Sequence, residues 1–273
     1  MCDTCGCNLT PGNRHLVESG GRLSHTAEGR EAVTVLRSLL SENDVTARHN
    51  RAHFDRHGVL AVNLMSSPGA GKTALLEATL AALSADLRIG VIEGDLETEN
   101  DAERIRAHGI PAVQITTGSA CHLDAHMVHD AVHQLPLAEL DLLFIENVGN
   151  LVCPASFDLG QHHNVTLLSV TEGDDKPAKY PVMFRAADLM LLTKTDLLAV
   201  LDDFDPQAAE RHLRHLASEA PVLPLSARTG QGLDAWLAWL QARLAEQRAR
   251  RAAGESRQPA LPPDGATRPA REG

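Results

Sequence analysis

A mainly parallel α/β sheet flanked by helices, of the phosphate-loop nucleotide-binding class, is the fold that this 273-residue sequence predicts. Three observations predict it. An apolar run from Val59 to Met65 leads into Ser66-Ser67-Pro68-Gly69-Ala70-Gly71-Lys72-Thr73, and a helix-forming stretch from Ala74 to Leu80 follows. A second apolar run, Asp141 to Glu146, ends in a carboxylate and continues as Asn147-Val148-Gly149. Further short apolar runs at Arg88 to Gly94, Ala112 to Thr117, Val165 to Val170 and Leu189 to Leu192 alternate with helical patterns, the arrangement that parallel strands joined by crossovers require.

In the first loop, Gly69, Ala70 and Gly71 let successive backbone N–H groups cradle phosphate oxygens at a helix N-terminus, whose dipole favours anions. Lys72 is then the side chain that reaches the β- and γ-phosphates, and the Thr73 hydroxyl is a Mg²⁺ ligand. Ser66 stands where the pattern G-x-x-x-x-G-K-S/T has its first glycine. An ordinary glycine-rich turn is the alternative, and the flanking strand and helix together with Gly71-Lys72-Thr73 speak against it.

Charge and cysteine usage narrow the class further. The net charge is −11, and the part before Arg248 is more acidic still, because six arginines lie beyond Gln247. So acidic a body argues against nucleic acid as a partner. No apolar run of about 18 residues and no basic-then-apolar leader is visible, so a cytoplasmic protein without a membrane span is expected. Five cysteines in such a chain read as thiols or metal ligands rather than a disulfide framework.

The expected organisation is a Cys-rich segment and leash over 1–29, a nucleotide-binding domain over 30–250 with a helical lead-in over 30–57, and a disordered tail over 251–273 punctuated by Pro259, Pro262, Pro263 and Pro269. Cys2, Cys5 and Cys7 crowd three sulfurs around Gly6. Thiolates so placed suit Zn²⁺, Cu(I) or Ni²⁺. Val33, Leu36, Leu39 and Leu40 predict an amphipathic helix, and a second one from about Ser41 to His57, capped by Ser41, should end at Gly58.

The strand ending at Asp95 is followed by Glu97, Glu99 and Asp101. Carboxylates at the C-terminal ends of parallel strands face the ligand crevice, so Asp95 and Asp101 are candidates for holding Mg²⁺ or orienting a catalytic water. Capping of the helix around Glu103 to His108 is the equally available role for Asp101 and its acidic neighbours. Cys121 and His122 enter the helix Leu123 to Gln134, and Cys153 follows the strand that carries Glu146, so these three form a candidate internal metal site. His126, His129 and His133 share a face of that helix and are read as structural or solvated.

Glu146 has the position of a Walker B carboxylate, and the backbone N–H of Gly149 could sense a γ-phosphate. After the strand Leu189 to Leu192, Lys194 and Asp196 suggest a base-specificity loop. The carboxylate would accept from guanine N1 and N2, and the lysine stem would pack on the ring. Ser226-Ala227-Arg228-Thr229-Gly230 follows a last short strand, and a helix with Leu233, Trp236, Leu237 and Leu240 closes the domain, its tryptophans taken as core.

In sum the motifs resemble the HypB family of nucleotide-dependent dimeric GTPases that assist nickel insertion during nickel–iron hydrogenase maturation. The likeness runs from C-x-x-C-G-C at Cys2 to Cys7, through the phosphate loop, G-D-L-E-T-E-N-D-A-E-R-I at Gly94, Cys121-His122, E-N-V-G-N-L-V-C-P at Glu146, E-G-D-D-K-P-A-K-Y-P at Glu172 and the S-A-R-T-G loop at Ser226. It implies GTP with Mg²⁺ as cofactors, Ser226 and Ala227 in the base site, and Ni²⁺ as the metal, with Zn²⁺ possible at Cys121, His122 and Cys153. It also implies a slow GTPase, a GTP-dependent homodimer, a HypA-like nickel chaperone and a hydrogenase large-subunit precursor as partners. Two departures stand out: Thr193 replaces the usual asparagine of the base loop, and the leash, with His15 and His25, lacks a histidine-rich storage stretch. The alternatives are a urease-type nickel-insertion GTPase, which would lack the N-terminal cysteines and carry a Cys-Pro-His motif, and a nickel-storage protein with a weakly active nucleotide fold.

Overall fold

The computed structural model describes residues 27–95, 100–118 and 120–259, with side chains of the first helix described from Leu40 onward. Cys2, Cys5, Cys7, His15, His25, Glu97, Glu99 and the chain beyond 259 lie outside the described residues. Seven strands, β1 (Leu60–Ser66), β2 (Ile89–Asp95), β3 (Ala112–Thr116), β4 (Leu142–Glu146), β5 (His163–Ser169), β6 (Leu189–Thr193) and β7 (Val222–Pro224), pair in the order β3-β2-β4-β1-β5-β6-β7. Every pairing is parallel. The expected fold class is therefore the one observed.

The helices are α1 (Ala27–His57), α2 (Lys72–Leu83), α3 (Asn100–Arg106), α4 (Ala125–Val132), α5 (Lys176–Lys179), α6 (Pro181–Arg185), α7 (Pro206–His215) and α8 (Leu233–Ala252). Central strands β1, β4, β5 and β6 are buried along their whole length, as expected where helices cover both faces, while the outer strands β3 and β7 are half-exposed. Alternation along β1 divides the core: Leu60, Val62 and Leu64 meet Leu76 and Leu80 of α2 and Trp236 and Leu240 of α8. Ala61 faces the other way, with Phe54 of α1 and Val128 of α4. Trp236 is wholly buried and donates from Nε1 to Thr79 Oγ1 at 2.8 Å, and Trp239 stacks beside it, so both tryptophans are packing residues.

One expectation is corrected. Ser41 starts no new helix, because α1 runs unbroken from Ala27 to His57. The polar run after Ser41 could cap a helix with its own side chains, but the fold gives Asn43 distant partners. Its Nδ2 donates to Asp158 O at 2.8 Å and its Oδ1 accepts from Ala125 N at 2.8 Å. With those bonds made elsewhere, nothing interrupts the i to i−4 ladder until Gly58, whose φ of 75° ends it as expected. At the other end, α8 reaches Ala252, and Arg257 pairs with Asp188 at 2.9 Å, which ties the chain to the domain at that residue.

Candidate nucleotide and metal site

The carboxyl ends of β1, β2 and β4 meet where the chain order reverses, and open α/β sheets bind ligands at such a point. The loop after β1 turns through Gly69 at φ 73° and Gly71 at φ 97°, conformations that residues with a Cβ adopt only under strain. Gly71 is the N-cap of α2, so the loop's N–H groups sit at the positive end of that helix. Lys72 is buried, with Nζ donating to Ser66 Oγ at 3.1 Å and lying 3.9 Å from Glu146. Ser66, in place of a glycine, thus holds the lysine amine.

A cavity of about 390 Å³ opens over this loop, lined by Gly69, Gly71, Lys72, Thr73, Asp95, Asp101, Glu146 and Gly149 among others. The expected phosphate-side residues are brought together here. Thr73 Oγ1 donates to Glu146 Oε1 at 3.0 Å. Asp101 also accepts from Arg104 at 2.8 Å in the first turn of α3, so it both lines the cavity and serves its helix. Gly149 packs on the loop so closely that a Cβ there would stand 2.8 Å from the Pro68 Cα.

Glu93 also lines the cavity, and sequence reasoning missed it. It pairs in register with Glu146 on the neighbouring strand, and both are buried. Burial first, then the Glu146 charge, pushes the Glu93 carboxyl up to about 11. Glu146 is likewise raised by burial, with Lys72 opposing. Among the described residues, Oε2 of each is buried without a hydrogen-bond partner. Two adjacent buried carboxyls, two orphaned oxygens and a threonine hydroxyl fit a hard divalent cation of the Mg²⁺ type, which would replace the proton on Glu93. The available signal was a lone acid in the apolar run Ile89 to Gly94, but the register that makes it matter is not written in local sequence.

A second cavity of about 380 Å³ adjoins the first, with Gly71 and Ala74 common to both. Its walls include Leu75, Lys194, Asp196, Leu225, Ser226 and Ala227. Lys194 takes the left-handed conformation, φ 59°, and its Nζ donates to Gly69 O at 2.7 Å, laying its stem along the phosphate loop. Thr193 Oγ1 donates to Ala70 O at 2.7 Å, so this threonine ties β6 to the loop. Asp196 accepts from Ser226 Oγ at 2.6 Å and from Arg228 at 2.7 Å, and the Ser226 bond leads the effects that hold its carboxyl below the usual range. The Lys194 stem and the Asp196 carboxylate thus line one cavity beside the phosphate loop.

The internal cysteines converge on His122. Cys121 Sγ lies 3.1 Å from Cys153 Sγ and 3.8 Å from His122 Nδ1, and one ligand atom from each of the three fits within 4.8 Å. His122 is buried, stacked on Phe157 with ring centroids 4.0 Å apart. Burial pushes its imidazole pKa down and so keeps the neutral, ligating form. Two sulfurs and one imidazole nitrogen match the taste of Zn²⁺ or Ni²⁺ and leave a tetrahedral or square-planar ion one ligand short. Asn147 joins the two sites: its Oδ1 accepts from Leu123 N at 3.2 Å, beside His122, and from Val148 N at 3.0 Å.

Residues 60–224 match the family described as CobW/HypB/UreG, nucleotide-binding domain. The hydrogenase maturation factor HypB of Azotobacter chroococcum is 54% identical over 209 residues, covering 77% of this chain and 68% of the relative. The chain belongs to the HypB family of hydrogenase maturation factors. HypB of Escherichia coli strain K12 is 53% identical over 212 residues, covering 78% and 73%. Among solved structures, Helicobacter pylori HypB in complex with nickel superposes with a TM-score of 0.72 at 41% identity, covering 76% of this chain and 97% of that one. HypB from Archaeoglobus fulgidus gives 0.70 at 39%, covering 75% and 100%. Among the described residues no helix is long and apolar enough to cross a membrane.

Proposed function

We propose that this HypB-family protein hydrolyses GTP, with Mg²⁺, to control the hand-over of nickel to the large-subunit precursor of a nickel–iron hydrogenase. One observation carries the reading: the segment Glu146 to Cys153 belongs to both sites. It begins on the Thr73 hydroxyl, passes Gly149 against Pro68 and ends with Cys153 beside Cys121. A shift of Val148-Gly149 toward a γ-phosphate would therefore move Cys153.

In this scheme Lys72 neutralises charge on the β- and γ-phosphates. Thr73 and Glu146, with Glu93, hold the cation, which supplies charge stabilisation at the phosphates when bound. Asp95 or Asp101 orients the attacking water. Such chemistry is mostly positioning and electrostatics, so turnover is slow until a partner completes the site. Ni²⁺ is cargo, held at the internal site by Cys121, His122 and Cys153 and, at the amino terminus, by Cys2, Cys5 and Cys7. The internal trio is one ligand short, and a second copy across a two-fold axis would supply it, so a GTP-dependent homodimer is part of the proposal. Val152, exposed beside Cys153, suits such a covered face. A HypA-like chaperone and the hydrogenase precursor are the other partners. Urease is a second possible recipient, because a Helicobacter pylori relative, 43% identical, bears the name hydrogenase/urease maturation factor HypB.

Base choice tests the nucleotide half. Asp196→Asn turns one acceptor into a donor facing guanine N–H groups, which should cost about 1.5–3 kcal/mol, the range for hydrogen bonds to charged groups, or roughly ten- to 150-fold in GTP affinity. Competition binding reads it. Equal affinity of the unaltered protein for ATP and GTP would defeat the guanine assignment.

A further inference from the structure

The face where α1 packs on α4 carries four imidazoles. His49 and His53 stand one turn apart on α1, and His129 stands one turn before His133, the C-cap of α4. His53 and His129 are half-buried, and the other two are exposed. Ring centroids lie 4.6 Å apart within each pair, and 5.2, 6.2 and 6.1 Å apart for His49–His129, His53–His129 and His53–His133. Four imidazoles bound tetrahedrally to one ion through bonds of about 2.0–2.1 Å would place every pair of centroids about 5 Å apart, close to three of these spacings, so His53 and the His49–His133 pair would close up as an ion binds.

Hydrogen bonding fixes which nitrogen is available. Asn50 is buried and its Nδ2 donates to two carbonyls, Ala125 O at 2.8 Å and Leu159 O at 3.1 Å. Its remaining atom, Oδ1, can only accept, so His129 Nδ1, 3.0 Å away, is the donor. The lone pair of His129 therefore sits on Nε2. That nitrogen faces His133 Nε2 at 3.1 Å, and the hydrogen between them belongs to His133. Two nitrogens at that spacing, each about 2.0–2.1 Å from a shared ion, subtend about 98°, between the square-planar and tetrahedral angles. A ligand histidine whose other nitrogen donates to a fixed acceptor is also the usual way a metal's ligand is oriented. Burial, followed by the neighbouring imidazoles and, for His53, Arg56, lowers the pKa of His53 and His129, which leaves these rings neutral and able to ligate near pH 7.

We propose that His129 and His133, with His49 and His53, form a further metal site for a borderline divalent ion, Ni²⁺ or Zn²⁺, apart from the cysteine-containing sites. The ion takes the place of the hydrogen between the two Nε2 atoms, and His133 changes tautomer, its hydrogen passing to Nδ1. The site joins the lead-in helix α1 to α4, the helix that follows Cys121 and His122.

The test uses the full chain with Cys2, Cys5, Cys7, Cys121 and Cys153 replaced by serine, titrated with Ni²⁺ alone and with Zn²⁺ alone. Equilibrium dialysis should show one saturable equivalent. Its affinity should fall at least tenfold in His129→Gln/His133→Gln and stay unchanged in His212→Gln/His215→Gln, a histidine pair on α7. X-ray absorption of the nickel-loaded five-serine chain should show imidazole scattering from three or more rings, a reading that needs no histidine variant to fold. Absence of saturable binding, binding indifferent to His129→Gln/His133→Gln, or a coordination shell without imidazole would each overturn the proposal.

Discussion

Replacing Lys72 with alanine is expected to lower GTP hydrolysis by at least about 10³-fold, the scale on which a charge aimed at a transferring phosphoryl group contributes. Two described cations line the phosphate cavity, and Arg104 is held by Glu77 and Asp101. Lys72 alone is buried there, aligned by Ser66 and facing Glu146. Its removal takes a positive charge away from two buried carboxyls as well as from the phosphates. Burial raises the pKa of both Glu93 and Glu146, so both can be held protonated once the amine is gone, and the sheet should fold. Single-turnover phosphate release with Mg²⁺ measures the loss, and a melting curve in the same buffer separates chemistry from stability. A fall of less than tenfold would remove Lys72 from the proposed mechanism.

The second large effect is expected from Cys121→Ala/Cys153→Ala in a chain starting at Asn8, which lacks the amino-terminal cysteines. Internal Ni²⁺ binding should weaken at least about 10²-fold, since His122 alone cannot hold the ion. Neither cysteine lines the phosphate or base cavity, so GTP affinity without metal should stay within about threefold of the parent. If instead the variant keeps its metal and its nucleotide-dependent dimerisation, the two cysteines are small core residues and nothing more.

Local sequence carried the parts of this architecture that local chemistry dictates. Gly69, Gly71, Lys72 and Thr73 announce a phosphate loop because backbone shape and charge at a helix N-terminus need those residue types. Apolar runs marked the strands to within a residue or two for the same reason. What depends on strand order was hidden. Glu93 matters because β2 lies beside β4, which puts it in register with Glu146, and no pattern within Ile89 to Gly94 says so. Cys121, His122 and Cys153 could be grouped only by assuming that two loops end at one place. His129 and His133 read as structural or solvated, and which rings they pack against was hidden, because His49 and His53 sit on a helix some 80 residues earlier in the chain. Ser41 misled in the opposite sense, as a good cap by composition in a segment whose side-chain bonds go to Asp158 and Ala125.

The central claim is that nucleotide state and metal binding are coupled through Glu146 to Cys153, and reciprocal affinities test it most directly. In the chain starting at Asn8, Ni²⁺ affinity is measured with GDP and with a non-hydrolysable GTP analogue, and the affinities for both nucleotides are measured with and without Ni²⁺. Linkage requires the same factor in both directions, expected at about five- to 150-fold for a coupling of this kind. The factor should disappear in Cys121→Ala/Cys153→Ala. Equal Ni²⁺ affinity in the two nucleotide states would mean that the segment joining the sites transmits nothing, and would contradict the account.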